Sequence, residues 1–289
     1  MVGQTKDEKL INELIDYFLI ESKSNQGHHF LTRLYILLGD YRQACDIAIT
    51  LANDEQKFSN YKAAHQILLD LYIGLKEKNL PVSYELNHRL GVLHSYLLAK
   101  KLFKLKQHMK GARNILRVAN NMTMFEEDKV KIMTIAAVEC QEAGLGKSSS
   151  QWAIELMKDY KGAIPESYKA RIDKISRNAY KSEEEPDMAN TPCPFCKKDM
   201  PEYSLECKNC YNVVPFCIAS GKHVVIGDLS KCPHCNFPAM ISEMKELLVN
   251  EVKCPMCEGE VDANLMEKIE DPIAYLKGRK VAASNTNGD

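Results

Sequence analysis

No apolar run in these 289 residues is long enough to cross a bilayer. Residues 1–10 are polar and charged and lack the apolar core of a secretory signal, so a reducing compartment is expected and a disulfide framework is out of place. Arginine is missing from 193–271, where eight Lys stand against thirteen Asp or Glu, a net charge of −5. Phosphate binding needs clustered Lys and Arg, and base readout leans on Arg, so nucleic acid is excluded as a partner of this region. The whole chain, at formal charge −1, adds no basic tail. Residues 1–180 lack strand-like alternation and hold only two cysteines, Cys45 and Cys140. No grouping of nucleophile, base and carboxylate occurs, so no enzyme activity is expected and no catalytic residue is assigned.

What is present is thiol. Nine of the eleven cysteines lie in 193–257, and eight form four Cys-x-x-Cys pairs: Cys193/Cys196, Cys207/Cys210, Cys232/Cys235 and Cys254/Cys257. A Cys-x-x-Cys turn places two thiolates on one side of a tight loop, and two such turns complete a tetrahedron around Zn2+. Three pairs carry proline after the first cysteine (Pro194, Pro233, Pro255), where a fixed φ suits the turn. A thioredoxin-like motif would not come four times over, and the ferredoxin spacing with three cysteines in one short run is absent, although iron–sulfur clusters use the same thiolates. Two structural Zn2+ ions are therefore expected. Ten residues separate Cys196 from Cys207 and eighteen separate Cys235 from Cys254, so sequential pairing closes short loops. A cross-braced pairing would interleave the turns and recruit Cys217 and His223, which otherwise read as a buried thiol and a surface or supporting histidine. A RING finger wants its single Cys and His close together and abutting the next pair; here the gaps are five and eight residues. Around the metals, Phe195, Val213, Val214, Phe216, Ile218, Val224, Val225, Ile226 and Phe237 predict short strands and a small core. Helices are predicted at 241–248 and 263–269, the second ending at Asp271-Pro272.

The first 180 residues read as helical hairpins. Leu10, Leu14, Ile15, Phe18 and Leu19 make one apolar stripe; Leu31, Leu34, Tyr35 and Leu38 make the next, which stops at Gly39-Asp40. The helix from Tyr41 buries Ala44, Cys45, Ile47, Ala48 and Leu51. Leu38-Gly39-Asp40-Tyr41-Arg42-Gln43-Ala44 carries elements of a tetratricopeptide repeat, and a similar helix start brings Ala112 in 68 residues after Ala44, two periods of 34. Further helices are predicted at 60–75, 85–105, 128–143 and 150–159, giving eight or nine in all. The fold class is mainly α, a tetratricopeptide-like helical solenoid followed by a small C-terminal α+β zinc-binding module. The divisions are 1–180 for the array, 181–191 for an acidic linker, 192–277 for the double-zinc module and 278–289 for a disordered tail.

Other features have plain readings. Gly146-Lys147-Ser148 imitates the end of a phosphate-binding loop, but Gln141 stands where the first glycine is required, so it reads as an interhelical turn capped by Ser148. His28, His29, His65, His88, His94 and His108 read as helix surface or core, Cys45 and Cys140 as core thiols, and Trp152 as an inward residue.

The run Thr191-Pro-Cys-Pro-Phe-Cys196, then Cys207-Lys-Asn-Cys210, Pro215-Phe-Cys-Ile-Ala-Ser-Gly-Lys-His223, Cys232-Pro-His-Cys-Asn-Phe-Pro-Ala239 and Cys254-Pro-Met-Cys257 resembles the C-terminal end of the WD-repeat subunits, 144-kilodalton class, of intraflagellar transport complex A. Upstream, Asn60-Tyr-Lys-Ala-Ala-His65, Leu93-His-Ser-Tyr96 and the stretch from His108 to Asn121 are similar to the last helical repeats of that family. The resemblance implies a noncatalytic scaffold in retrograde ciliary transport and ciliary membrane-cargo import, located in cilium and cytoplasm, with other subunits of complex A as partners. Family members carry N-terminal β-propellers before the helices. This chain starts in the helices, which implies either a C-terminal piece or a divided gene with the propellers on a separate chain. The alternative is a RING-like ubiquitin ligase module, marked by cross-braced ligation through Cys217 and His223.

Overall fold

The computed structural model describes residues 8–21, 25–178, 185–249 and 252–278. The protein is mainly α. Nine α-helices occupy the N-terminal part of the described residues: α1 (Glu8–Glu21), α2 (Asn25–Leu38), α3 (Tyr41–Lys57), α4 (Tyr61–Glu77), α5 (Tyr84–Lys104), α6 (His108–Ala119), α7 (Lys129–Glu142), α8 (Gly146–Asp159) and α9 (Glu166–Arg177). The first eight match the segments read from periodicity to within a few residues; α9 was not singled out. Two compact units divide the chain within α5, one running to Leu93 and the other from His94 to Lys280.

Helices of 12–21 residues are marginal alone in water, so packing decides whether they persist. In the first unit α3 packs on α2 and α4. Ala44, Ala48 and Ala64 are buried without exposure, and their small size lets the backbones approach around Leu31, Leu68, Leu69 and Leu75. The α1 stripe is shifted from expectation, since Ile11 is buried and Leu10 is half exposed. The side chains of Leu19, His28 and His29 lie outside the described residues.

The helix ends repeat one device. Gly39, Ser59, Asn79, Lys106 and Gly144 all take positive φ. After each, an N–H reaches back five residues: Asp40 to Tyr35 O at 3.0 Å, Asn60 to Glu55 O at 2.9 Å, Leu80 to Leu75 O at 2.9 Å, Gln107 to Leu102 O at 2.9 Å and Leu145 to Cys140 O at 2.8 Å. This satisfies a terminal carbonyl and turns the chain into the next segment. At the first turn Asp40 also accepts from the Gln43 N–H at 3.1 Å, opening α3.

In the second unit α7 packs on α6, α8 and α9. Ala112, Cys140 and Leu145 form a buried cluster with Leu116 and Ala143 beside it, and Tyr96 meets Phe125 with ring centroids 5.4 Å apart. Ser148 does not cap α8. Its own N–H is taken by the Glu185 carboxylate, and no side chain of the helix's preceding residue, Leu145, bonds the end. The Gly-Lys-Ser turn is thus a helix N-terminus plugged by a carboxylate, a placement favoured by the helix dipole.

Beyond 185 the elements are short. β1 (Asn190–Pro192) pairs antiparallel with β2 (Asp199–Pro201), and β3 (Leu229–Lys231) with β4 (Pro238–Met240). α10 (Ile241–Leu247) lies where a helix was expected. The helix predicted at 263–269 is only a 3-10 turn at Ala263–Leu265. Asp271-Pro272 opens α11 (Pro272–Lys277) instead of closing a helix: Pro272 sits in the first turn and the Asp271 carboxylate accepts from Ala274 N–H at 2.9 Å. The expected tail falls almost wholly outside the described residues.

Candidate metal centres

Each Cys-x-x-Cys pair lies in the same hairpin. The first cysteine donates its N–H to the carbonyl five residues on, and the residue four on donates back to the cysteine carbonyl. For Cys193 these bonds reach Lys198 O and come from Lys197 N, both at 2.9 Å; for Cys232 they involve Phe237 O and Asn236 N, again at 2.9 Å. Cys207 and Cys254 repeat the pattern with Asn212 and Tyr211, and with Gly259 and Glu258. The returning residue is left-handed in every case: Lys197, Tyr211, Asn236 and Glu258 have φ of 62°, 56°, 58° and 59°. Such a conformation costs a side-chain-bearing residue roughly 1–2 kcal/mol. A metal held by the paired thiolates would offset that cost.

The eight cysteines gather into two groups, Cys193/Cys196/Cys207/Cys210 and Cys232/Cys235/Cys254/Cys257, in each of which the sulfurs lie within 4.8 Å of one another. The pairs combine in sequential order. Cys193 Sγ stands 3.8 Å from Cys210 Sγ, Cys196 Sγ 3.6 Å from Cys207 Sγ, and Cys232 Sγ 3.9 Å from Cys257 Sγ. A tetrahedron with metal–sulfur bonds of 2.3 Å has edges of about 3.8 Å, so the sulfurs fit a four-thiolate centre. A disulfide needs sulfurs about 2.05 Å apart, and all eleven cysteines are free thiols.

Four crowded thiols cannot all ionise without a cation. In the first group burial pushes Cys193 up to about 12, while the Lys198 backbone N–H holds Cys196 down to about 6. In the second, thiol–thiol hydrogen bonds hold Cys257 down and push Cys235 and Cys254 up. A bound dication removes the conflict by stabilising every thiolate together, and thiolate at all four positions leaves no vacant site for water or substrate.

Around the first group Met200 and Val214 are buried with Phe195 packed against them. In the second, His234 Nε2 bonds Glu260 O at 2.7 Å, and its ring lies so close to Gly259 that a Cβ there would sit 2.7 Å from Cδ2.

Cys217 and His223 belong to neither group. The Cys217 sulfur accepts the Met240 N–H at 3.2 Å, and burial pushes the thiol pKa up. His223 Nε2 lies 2.7 Å from Thr191 Oγ1, and burial lowers its pKa. Of the expected core apolars, Val214, Phe216, Ile218, Val224 and Phe237 are buried, whereas Val213, Val225 and Ile226 are partly exposed.

Sequence reasoning missed three polar residues of the helices. His94 was read as surface or packing, and Asn114 and Arg117 were given no role. His94 and Asn114 are wholly buried, and all three bond carbonyls of the cysteine-rich region: His94 Nε2 to Ile218 O at 2.9 Å, Asn114 Nδ2 to Ser220 O at 2.8 Å, and Arg117 Nη2 to Gly221 O at 2.7 Å and Tyr203 O at 3.0 Å. The spacing of Asn114 and Arg117, three apart on one face of α6, was the available signal.

Among known proteins, the family model described as "IFT121, second zinc finger domain" matches residues 215–262, which include the whole second cysteine group. WD repeat-containing protein 19 of Homo sapiens is 43% identical over 278 residues, 96% of this chain and 21% of the relative. The Mus musculus protein of the same name is 42% identical over the same shares. WD repeat-containing protein dyf-2 of Caenorhabditis elegans is 35% identical over 277 residues, 95% of this chain and 20% of the relative. The chain spans about a fifth of the length of the curated relatives it matches. With this likeness running through helices and cysteine hairpins alike, the chain belongs to the WD repeat-containing protein 19 family and matches a C-terminal part of it.

Proposed function

We propose that this chain is a noncatalytic scaffold segment of an intraflagellar transport complex A subunit, serving retrograde ciliary transport and ciliary membrane-cargo import through protein–protein assembly. The observation that carries the reading is the pair of four-thiolate groups within a chain 43% identical to WD repeat-containing protein 19 over nearly all its length. In this reading Cys193, Cys196, Cys207 and Cys210 hold one Zn2+ and Cys232, Cys235, Cys254 and Cys257 a second, both structural. Its modules are the helical array (1–180), the acidic linker (181–191) and the zinc module (192–277). The first unit adds a cavity of about 720 Å3 between α2, α3 and α4, bordered by Ile36, Phe58, Ile67 and Asp70, a concave surface of the sort helical repeats offer to partners. Other complex A subunits are the partners, and the location is the cilium, at axoneme and basal body, and the cytoplasm. Among the described residues no helix is long and apolar enough to cross a membrane.

Purification of the chain from ciliated cells under native conditions, with bound proteins identified and metal counted, tests this. Two zinc ions and stoichiometric transport subunits are expected. Retrieval of ubiquitin-conjugating enzymes without transport subunits overturns it.

A further inference from the structure

The cysteine-rich region contains a fifth hairpin of the metal-knuckle type. In 217–222 the Cys217 N–H donates to Lys222 O at 2.7 Å and the Gly221 N–H to Cys217 O at 2.8 Å, the same offsets as in the four thiol pairs. Phe216 bridges His223 just as Glu206 bridges Val213 and Lys253 bridges Glu260. Gly221 takes the left-handed place, φ 76°. Where each other knuckle has its second thiol, this one has Ser220, and no residue of the turn joins either cysteine group.

The turn is gripped from outside. His94 holds Ile218 O, Asn114 holds Ser220 O and Arg117 holds Gly221 O, at 2.9, 2.8 and 2.7 Å. The His94 ring also stacks on Phe216, centroids 5.5 Å apart. A carbonyl only accepts, so Nε2 of His94 carries the proton, and burial keeps the ring neutral with its pKa lowered to about 4. Arg117 Nη1 is steadied by Ser95 Oγ at 3.0 Å. At the rim, Lys222 bonds Glu202 and Glu243 at 2.9 and 3.1 Å, and Glu243 also takes Lys110 of α6 at 2.5 Å. The fit leaves no space, since a Cβ on Gly221 would run into the Asn114 amide.

We propose that 217–222 is a metal-free fifth knuckle, and that the face of α5 and α6 bearing His94, Asn114 and Arg117 is its receptor site, holding the turn by its carbonyls where the other four are held by their thiols. Within the second unit, the helices and the cysteine-rich region are thereby one folding unit, joined through the carbonyls of this turn. This goes beyond the assembly role above and stands independently of it.

Cys217 reports on the latch because it has no exposure. In the full zinc-loaded chain, alkylation of Cys217 by N-ethylmaleimide is followed by peptide mass spectrometry, with metal counted in parallel. Asn114→Ala/Arg117→Ala is expected to raise the Cys217 rate at least tenfold while metal content and helical signal hold. Since truncating the partly buried Arg117 can unfold the helices, Gly221→Ala makes the same test from the knuckle side with the helices untouched, and the same rise is expected. Cys217 still protected in both variants overturns the proposal. So does release of metal in step with Cys217 exposure, which would make the fifth turn part of the metal sites.

Discussion

His94 shows what one buried side chain does to the pH response of the molecule. Burial is the main cause of its lowered pKa, opposed by the bond to Ile218 and reinforced by the Arg117 and Lys101 charges. At neutral pH the ring is uncharged folded or unfolded, so it makes no pH-dependent difference. As pH falls below the ordinary value of 6.5, the unfolded chain takes up a proton that the folded one refuses until about 4. Stability is therefore lost through the window from 6.5 down to about 4, by about 3 kcal/mol at its foot. Urea unfolding of wild type and His94→Gln at pH 7.5, 6 and 5 checks this: the glutamine keeps an N–H for Ile218 and cannot titrate, so its advantage should grow as pH drops, and thiolate protonation cancels in the comparison. Gly111 makes a second case. A Cβ there overlaps the Phe103 ring, so overpacking of about 1–3 kcal/mol outweighs the roughly 1 kcal/mol that alanine gains over glycine in a helix. Gly111→Ala is expected to lower the thermal midpoint; an increase would show that Phe103 moves aside freely.

At the scale of the element, the knuckles and helix ends share a dependence on left-handed residues that are mostly not glycine. Tyr211 is 87% exposed at φ 56°, so its side chain contributes little packing while its backbone is strained. Tyr211→Gly should relieve about 1 kcal/mol and slow metal loss about fivefold in competition with a chromogenic chelator. This same feature marks where sequence reading stopped. Gly39 and Gly144 announce their turns, but Ser59, Asn79 and Lys106 adopt the same φ with nothing in their chemistry that demands it. The cysteine turns were legible because Cys-x-x-Cys is local and the chemistry of four thiols is narrow. The helices were legible because burial repeats with their period. Asp271-Pro272 was misread because the pair serves a helix start as well as a stop, and only the 2.9 Å bond from Ala274 N–H to Asp271 tells which.

At the scale of the whole molecule, composition and compactness divide the chain differently. Residue types change near 185, where thiols and acids replace helical stripes, yet the second compact unit runs from His94 to Lys280. The latch lies within that second unit, and its partners stand too far apart in sequence to signal each other. Metal removal separates what holds each unit. On chelation, hydrogen exchange should rise across 190–262, while α4 in the first unit, whose core of Leu68, Leu69 and Leu71 owes nothing to thiols, should keep its protection. Loss of protection in both would show a shared dependence on metal. The latch also has a consequence in time. His94, Asn114 and Arg117 precede their carbonyl partners by 124, 106 and 104 residues. At about 5–20 residues per second, roughly 5–25 s of synthesis pass before the receptor face on α5 and α6 can close. Until then those helices present three polar groups to the ribosome's surroundings, and a stop codon before Tyr203 would leave them in that newborn state, so a lesion late in the reading frame would be felt first by helices made long before it.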